Sequence, residues 1–122
     1  MSLTDTQPLL LHNPKCSKSR AAKAWLEQNG VDFTERLYLE DPLDAAELAE
    51  LRELLGSPPR DWVRTGQDEY AAAGLTANSS EVEHFAAMAT APILIERPIF
   101  VHDGQAAIGR PLERITELLE PA

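Results

Sequence analysis

"PLLLHNPKCSKSRAAKAWLEQNGVDFTERLYLE" (residues 8–40) carries the pattern that decides the fold class. Its opening residues, 8–12, form a short apolar run that ends at the turn signal Asn13-Pro14, and predict a buried strand. From Cys16 or Ser17 onward the period changes. Ala22, Trp25 and Leu26 share one face at helical spacing, Lys18, Lys23 and Glu27 fall toward solvent, and Asn29-Gly30 closes the segment. Over 31–40, Phe33, Leu37 and Leu39 occupy alternating apolar positions, which predicts a second strand. A strand, a crossover helix and a strand make a parallel pair.

Working outward, "DPLDAAELAELRELLG" (41–56) predicts the clearest helix. Asp44 stands at an N-cap position with Glu47 three residues later, a capping box; Leu48, Leu51, Leu54 and Leu55 form the apolar stripe, and Gly56 ends it. Residues 57–91 read as short helices joined by polar turns, the last of them capped by Ser79 or Ser80. "ILIERPIFVHDGQAAIGRP" then holds two apolar runs around Asp103-Gly104, a hairpin signal. "PLERITELLE" predicts a terminal amphipathic helix with Pro111 at its first position. The expected architecture is α/β: a mixed four-stranded sheet flanked by helices, in one domain over 1–122 with a helical insertion at about 41–91.

Composition narrows the function. The 122 residues are 43% hydrophobic and 25% charged, ordinary for a globular chain. A formal net charge of −9 argues against a nucleic-acid partner, because little basic surface is available to displace counterions from phosphates. No apolar run approaches the roughly 20 residues of a membrane span, and the first residues lack the pattern of a signal peptide. The one cysteine, Cys16, allows no internal disulfide, so a cytoplasmic location and a free thiol are expected.

Charge is unevenly placed around that thiol. Lys15, Lys18, Arg20 and Lys23 fall within 12–26, which contains no acid, whereas 27–53 carries nine acids against Arg36 and Arg52. A cysteine at a strand-to-helix junction faces unpaired backbone N–H groups and the positive end of a helix dipole, both of which favour the thiolate. The same N–H groups can cradle an oxyanion. Burial in a core does not suit a cysteine flanked by Lys15 and Ser17 in a polar loop, so a reactive thiol is the favoured reading.

"HNPKCSKSR" (12–20) resembles the signature of the glutaredoxin-coupled arsenate reductase family. The likeness continues through "LYLEDP", "WVRTGQDEYAAAGL", "ILIERPIFV" and "IGRPLERI", in order over about 9–119. Within the family, the "CSKSR" loop and the lack of a C-terminal extension are similar to a shorter branch. The resemblance implies a thioredoxin-like fold with an added helical subdomain, and a cis-proline at Pro98. It implies Cys16 as nucleophile, Arg64, Arg97 and Arg110 as ligands of the oxyanion, His12 as the residue associated with thiol activation, and Asn13, Ser19 and Arg20 as the rest of the loop motif. It further implies that arsenate is attacked by the Cys16 thiolate with loss of water. Glutathione, a co-substrate, then reduces the arsenic and leaves a mixed disulfide that glutaredoxin resolves. No bound cofactor and no metal are implied, and the chain has no Walker loop, HExxH or CxxC.

Two other readings compete. One is a thiol oxidoreductase of the same fold acting on another oxyanion or a mixed disulfide. The other is an Spx-like regulator that binds RNA polymerase, although such regulators use a CxxC where this chain has Ser19. His84 and His102 are expected as packing or surface residues, Trp25 as core, Trp62 as packing near the site, and the acidic stretch 40–53 as a solvated helix face.

Overall fold

The computed structural model describes residues 2–120. A 3-10 turn at Leu3–Thr6 leads into β1 (Leu9–His12), followed by α1 (Ser17–Gln28) and β2 (Thr34–Leu37). Three helices come next, α2 (Ala45–Leu55), α3 (Asp68–Ala72) and α4 (Glu81–Thr90); β3 (Ile99–His102), β4 (Gln105–Ile108) and α5 (Glu113–Leu118) complete the chain. The sheet order is β2-β1-β3-β4, with β1 parallel to β2 and antiparallel to β3, and β3 antiparallel to β4. This is the mixed four-stranded sheet flanked by helices that the sequence predicts.

All four residues of β1 are buried, and their alternation splits the interior in two. Leu10 and Phe100 point to one face, where Ala22 and Leu26 of α1 and Ile115 of α5 close over them. Leu9, Leu11, Ile99 and Val101 point to the other, against Leu48 and Leu51 of α2 and Phe85 and Met88 of α4. Each such side chain contributes about 1.5–3 kcal/mol when fully buried. Trp62 is wholly buried in the second cluster, stacked on Phe85 with ring centroids 6.5 Å apart, and its indole N–H donates to Ser57 O. Trp25 only flanks the first cluster and stays half-buried.

Local chemistry sets the element ends. Asp44 accepts from Glu47 N at 2.8 Å and Glu47 accepts in return from Asp44 N, closing the capping box of α2; Gly56 ends that helix at φ 72°. Ser80 and Glu83 form a second capping box at the start of α4. In the hairpin Asp103 and Gly104 have φ 52° and 74°, the paired left-handed conformation that suits a two-residue turn between twisted strands.

Two expectations need correction. The second strand spans only Thr34–Leu37; Phe33 and Leu39 lie outside it, each packing on a different cluster. The strand stops because the N–H groups of Glu40 and Asp41 both turn back to Leu37 O. Pro111 is not the first residue of the terminal helix, which begins at Glu113. Pro111 follows a cis bond from Arg110 and accepts from Arg114 N through its carbonyl, so it shapes the turn before the helix. In the acidic stretch Glu40, Asp41, Asp44 and Glu53 are exposed, as expected, while Glu47 and Glu50 are half-buried. Glu47 is spent on Arg36 as well as on the cap, and Glu50 accepts from Leu3 N.

Candidate active site

The turn after β1 is closed by Cys16 N donating to Asn13 O, and it delivers Cys16 to the N-cap position of α1 with extended backbone, φ −99° and ψ 124°. A Ser or Asp here would cap the helix. Cys16 closes no full capping bond, yet the N–H groups of Ser19 and Lys18 face its sulfur and stabilise the thiolate. Partial burial pushes the thiol pKa up, but those N–H groups, the Arg97 charge and the Arg110 guanidinium outweigh it, and the pKa falls below its ordinary 9.0. Arg110 Nη2 donates toward Cys16 Sγ at 3.7 Å.

The remaining loop residues act as its frame. Ser19, fully buried, accepts from Asn13 N at 3.0 Å and lies 2.6 Å from His12 Nδ1. Burial, the largest influence, holds the His12 pKa below 6.5 even though Glu35 opposes it. His12 Nε2 lies 3.6 Å from Glu35 Oε1, which also pairs with Lys23 at 3.0 Å. A carboxylate cannot donate, so in neutral His12 the proton belongs on Nε2 and the Ser19 hydroxyl donates to Nδ1. His12 therefore engages Ser19 and Glu35 rather than the thiol. Asn13 Oδ1 accepts from Lys15 N, and Arg20 Nη1 donates to Pro14 O. Arg20 thus ties the loop from outside instead of facing the sulfur.

Arg64 and Arg97 are 33 positions apart in the chain and are joined by a short antiparallel bridge between Val63 and Ile95. Arg64 N donates to Leu94 O at 2.7 Å and Glu96 N donates to Trp62 O at 3.0 Å. Arg64 is steadied by Ile93 O, and Arg97 by Glu96 through Nη1 at 2.9 Å, with its Nε buried and without a partner among the described residues. The Arg97–Pro98 bond is cis. Arg110 follows β4, where Gly109 N donates to Pro98 O at 2.8 Å. Half-buried Arg97 and exposed Arg110 both act on the Cys16 sulfur, whereas half-buried Arg64 shares these surroundings through the Tyr38 phenol, on which Arg97, Arg64 and Cys16 all act. Among the described residues no group of three or more His, Cys, Asp or Glu could hold a metal ion.

The model of the ArsC family matches residues 11–118. The chain belongs to the ArsC family. A relative from Neisseria meningitidis, named arsenate reductase, is 41% identical over 90% of this chain and 96% of its own. A protein of Escherichia coli K12 named uncharacterized protein YfgD is 44% identical over 93% of this chain and 97% of its own. The solved structure of an arsenate reductase from Vibrio cholerae superposes with a TM-score of 0.86 at 42% identity, covering 90% and 95% of the two chains. The fold is accordingly the thioredoxin-like α/β fold of ArsC relatives.

Two residues of this ArsC-family chain escaped individual notice in the sequence. Gly109 is packed so closely that a Cβ there would lie 2.6 Å from Ile115 Cδ1 and 3.0 Å from Pro98 Cγ. Tyr38, in "LYLEDP", is buried just beyond β2, and its phenol is influenced by Arg97, Arg64 and Cys16. Gly109 adjoins "RP" in sequence, which hints at a tight turn, but no periodicity marks the Tyr38 hydroxyl.

Proposed function

We propose that this chain is an arsenate reductase in which the Cys16 thiolate is the nucleophile, glutathione the co-substrate and glutaredoxin the protein that restores the thiol. One observation carries the reading: a half-buried cysteine with lowered pKa at a helix N-terminus, with Arg110 3.7 Å from its sulfur and Arg97 close enough to stabilise it. Arsenate is a tetrahedral oxyanion, and arginine offers it paired donors and a charge independent of pH. Relatives named arsenate reductase support the same substrate.

The thiolate attacks arsenic(V); a protonated arsenate oxygen takes up one further proton and leaves as water, forming a sulfur–arsenic bond. Glutathione then attacks the Cys16 sulfur. The sulfur–arsenic pair of electrons stays on arsenic, which departs as arsenite, and Cys16 is left in a disulfide with glutathione. Glutaredoxin takes over the glutathione and frees the thiol. Cys16 is the single cysteine of the chain, so the second thiol must come from another molecule. A groove of about 570 Å³ bordered by Lys18, Ala21, Arg110 and Pro111 shares Arg110 with the thiol and offers room for a tripeptide thiol. A free thiol and a glutathione partner suit the cytoplasm.

The test is arsenate-dependent NADPH oxidation in a mixture of this protein, glutathione, glutaredoxin and glutathione reductase. Turnover by the wild type and none by Cys16→Ser is the expected result. No turnover from a folded protein whose Cys16 still ionises below 9.0 would overturn the arsenate assignment and give the thiol to another oxyanion or a mixed disulfide.

A further inference from the structure

Tyr38 combines features that packing alone does not explain. Its side chain is 1% exposed, and among the described residues its hydroxyl has no partner with hydrogen-bond geometry. A buried hydroxyl without a partner forfeits a hydrogen bond that water would supply. Its position in the fold is informative. The parallel register ends with Leu11 beside Arg36 and His12 beside Leu37; Tyr38 directly follows the one strand end and Asn13, the start of the cysteine loop, the other. The surrounding charges are those of the candidate site: Arg97, Arg64 and Cys16 all act on the phenol. The Asn13 side chain acts on it as a weak donor, while Asn13 Oδ1 is already engaged by Lys15 N. A second orphan lies in the same surroundings, the buried Arg97 Nε.

We propose that the Tyr38 hydroxyl is a further donor of the oxyanion site, meeting an oxygen of the bound anion together with the inner edge of Arg97. The proposal rests on the arsenate reading and adds to it a substrate-binding residue with no charge of its own. Burial raises the phenol pKa to about 12, so it keeps its proton at any working pH and donates to an anion. Arg97 is tethered to Glu96 through Nη1, and its Nε, without a partner among the described residues, is available to the same anion oxygen. Asn13 on one side of Oη and the anion on the other would complete its bonding.

The test is Tyr38→Phe, which keeps the ring and removes the hydroxyl. A hydroxyl with a structural partner would make this change destabilising; one without a partner leaves the melting temperature unchanged or raises it. Against that stable background the arsenate KM should rise roughly tenfold to a hundredfold, as expected for a lost hydrogen bond to a charged group, with a smaller change in kcat. In parallel, arsenate should protect Cys16 from iodoacetamide in the wild type at concentrations that no longer protect the variant. Equal KM values and equal protection would overturn the proposal while leaving arsenate reduction in place. Wild-type protection without turnover, lost in the variant, would keep the Tyr38 assignment and overturn the reductase reading. Neither protection nor turnover in the wild type would overturn both. A large loss of stability in the variant would return Tyr38 to a structural role.

Discussion

Ser19→Ala tests whether the thiol loop is held by a single buried hydroxyl. In the folded protein that oxygen accepts from Asn13 N at 3.0 Å and engages His12 Nδ1 at 2.6 Å, and all three residues are buried. Removing it creates almost no cavity but leaves two buried polar groups without partners. Each costs about 1–3 kcal/mol, so the gross loss is about 2–6 kcal/mol. Alanine favours the helix over serine by about 0.5 kcal/mol, which returns a small part. The net loss of about 2–5 kcal/mol is a large share of the roughly 6–18 kcal/mol expected for a chain of this length. With a urea dependence of about 2 kcal/mol per molar, the unfolding midpoint should fall by about 1–2.5 M. Ser17→Ala, at an exposed neighbouring position, should stay within about 0.5 kcal/mol of wild type. Loss of the frame should also loosen the N–H groups of Lys18 and Ser19 that stabilise the thiolate, so alkylation of Cys16 should require higher pH. A Ser19→Ala protein with an unchanged midpoint and an unchanged alkylation profile would refute the frame.

Arg110→Ala should raise the alkylation midpoint of Cys16 toward 9.0 without reaching it, because the backbone N–H groups and Arg97 remain; an unmoved midpoint would take Arg110 out of contact with the sulfur. His12 is held below 6.5 by burial, so the unfolded chain takes up that proton first; the stability His12 contributes is complete above 6.5 and declines as pH falls toward the folded value. His12→Gln should flatten that decline above the carboxylate range in urea titrations, and an identical pH profile would show that His12 is not its source. Gly109→Ala should cost about 1–3 kcal/mol through forced repacking of Ile115 and Pro98 and should lower turnover by displacing Arg110, whereas an unchanged melting temperature would mean that the turn accommodates a methyl group.

Much of this molecule is legible in its residues because the signals are local. A change from alternation to helical spacing within 8–40 marks the parallel unit, and Asp44 with Glu47, Gly56 and Asp103-Gly104 mark helix and hairpin ends through side-chain and backbone chemistry that acts within four residues. The cysteine loop belongs to the same class: His12, Asn13, Cys16, Ser19 and Arg20 are neighbours in sequence and so must be neighbours in space. The extent of β2 was less legible, because a strand lasts only as long as its partner, and Leu39 stays apolar for packing after the pairing has ended. The start of the terminal helix is hard to read from sequence for a related reason. Proline at a helix start and proline in the preceding turn look alike in sequence, and only the position of the next hydrogen bonds separates them.

What the amino-acid order determined by itself, then, is the set of elements, the strand–helix junction and a thiol cleared of nearby acids. The tertiary structure alone decided which distant groups meet that thiol. The Val63–Ile95 bridge ties the segment of Arg64 to the one that carries Arg97, Gly109 N bonds Pro98 O just before Arg110, whose guanidinium donates toward the sulfur, and the Asn13 side chain reaches the Tyr38 phenol. It also decided that His12 and Arg20 brace the loop, since a side chain four residues from a cysteine can face it or turn away, and the partners available in the folded chain settle which. Charge and hydrogen bonding act over a few ångströms in space, a distance that separation along the chain does not encode.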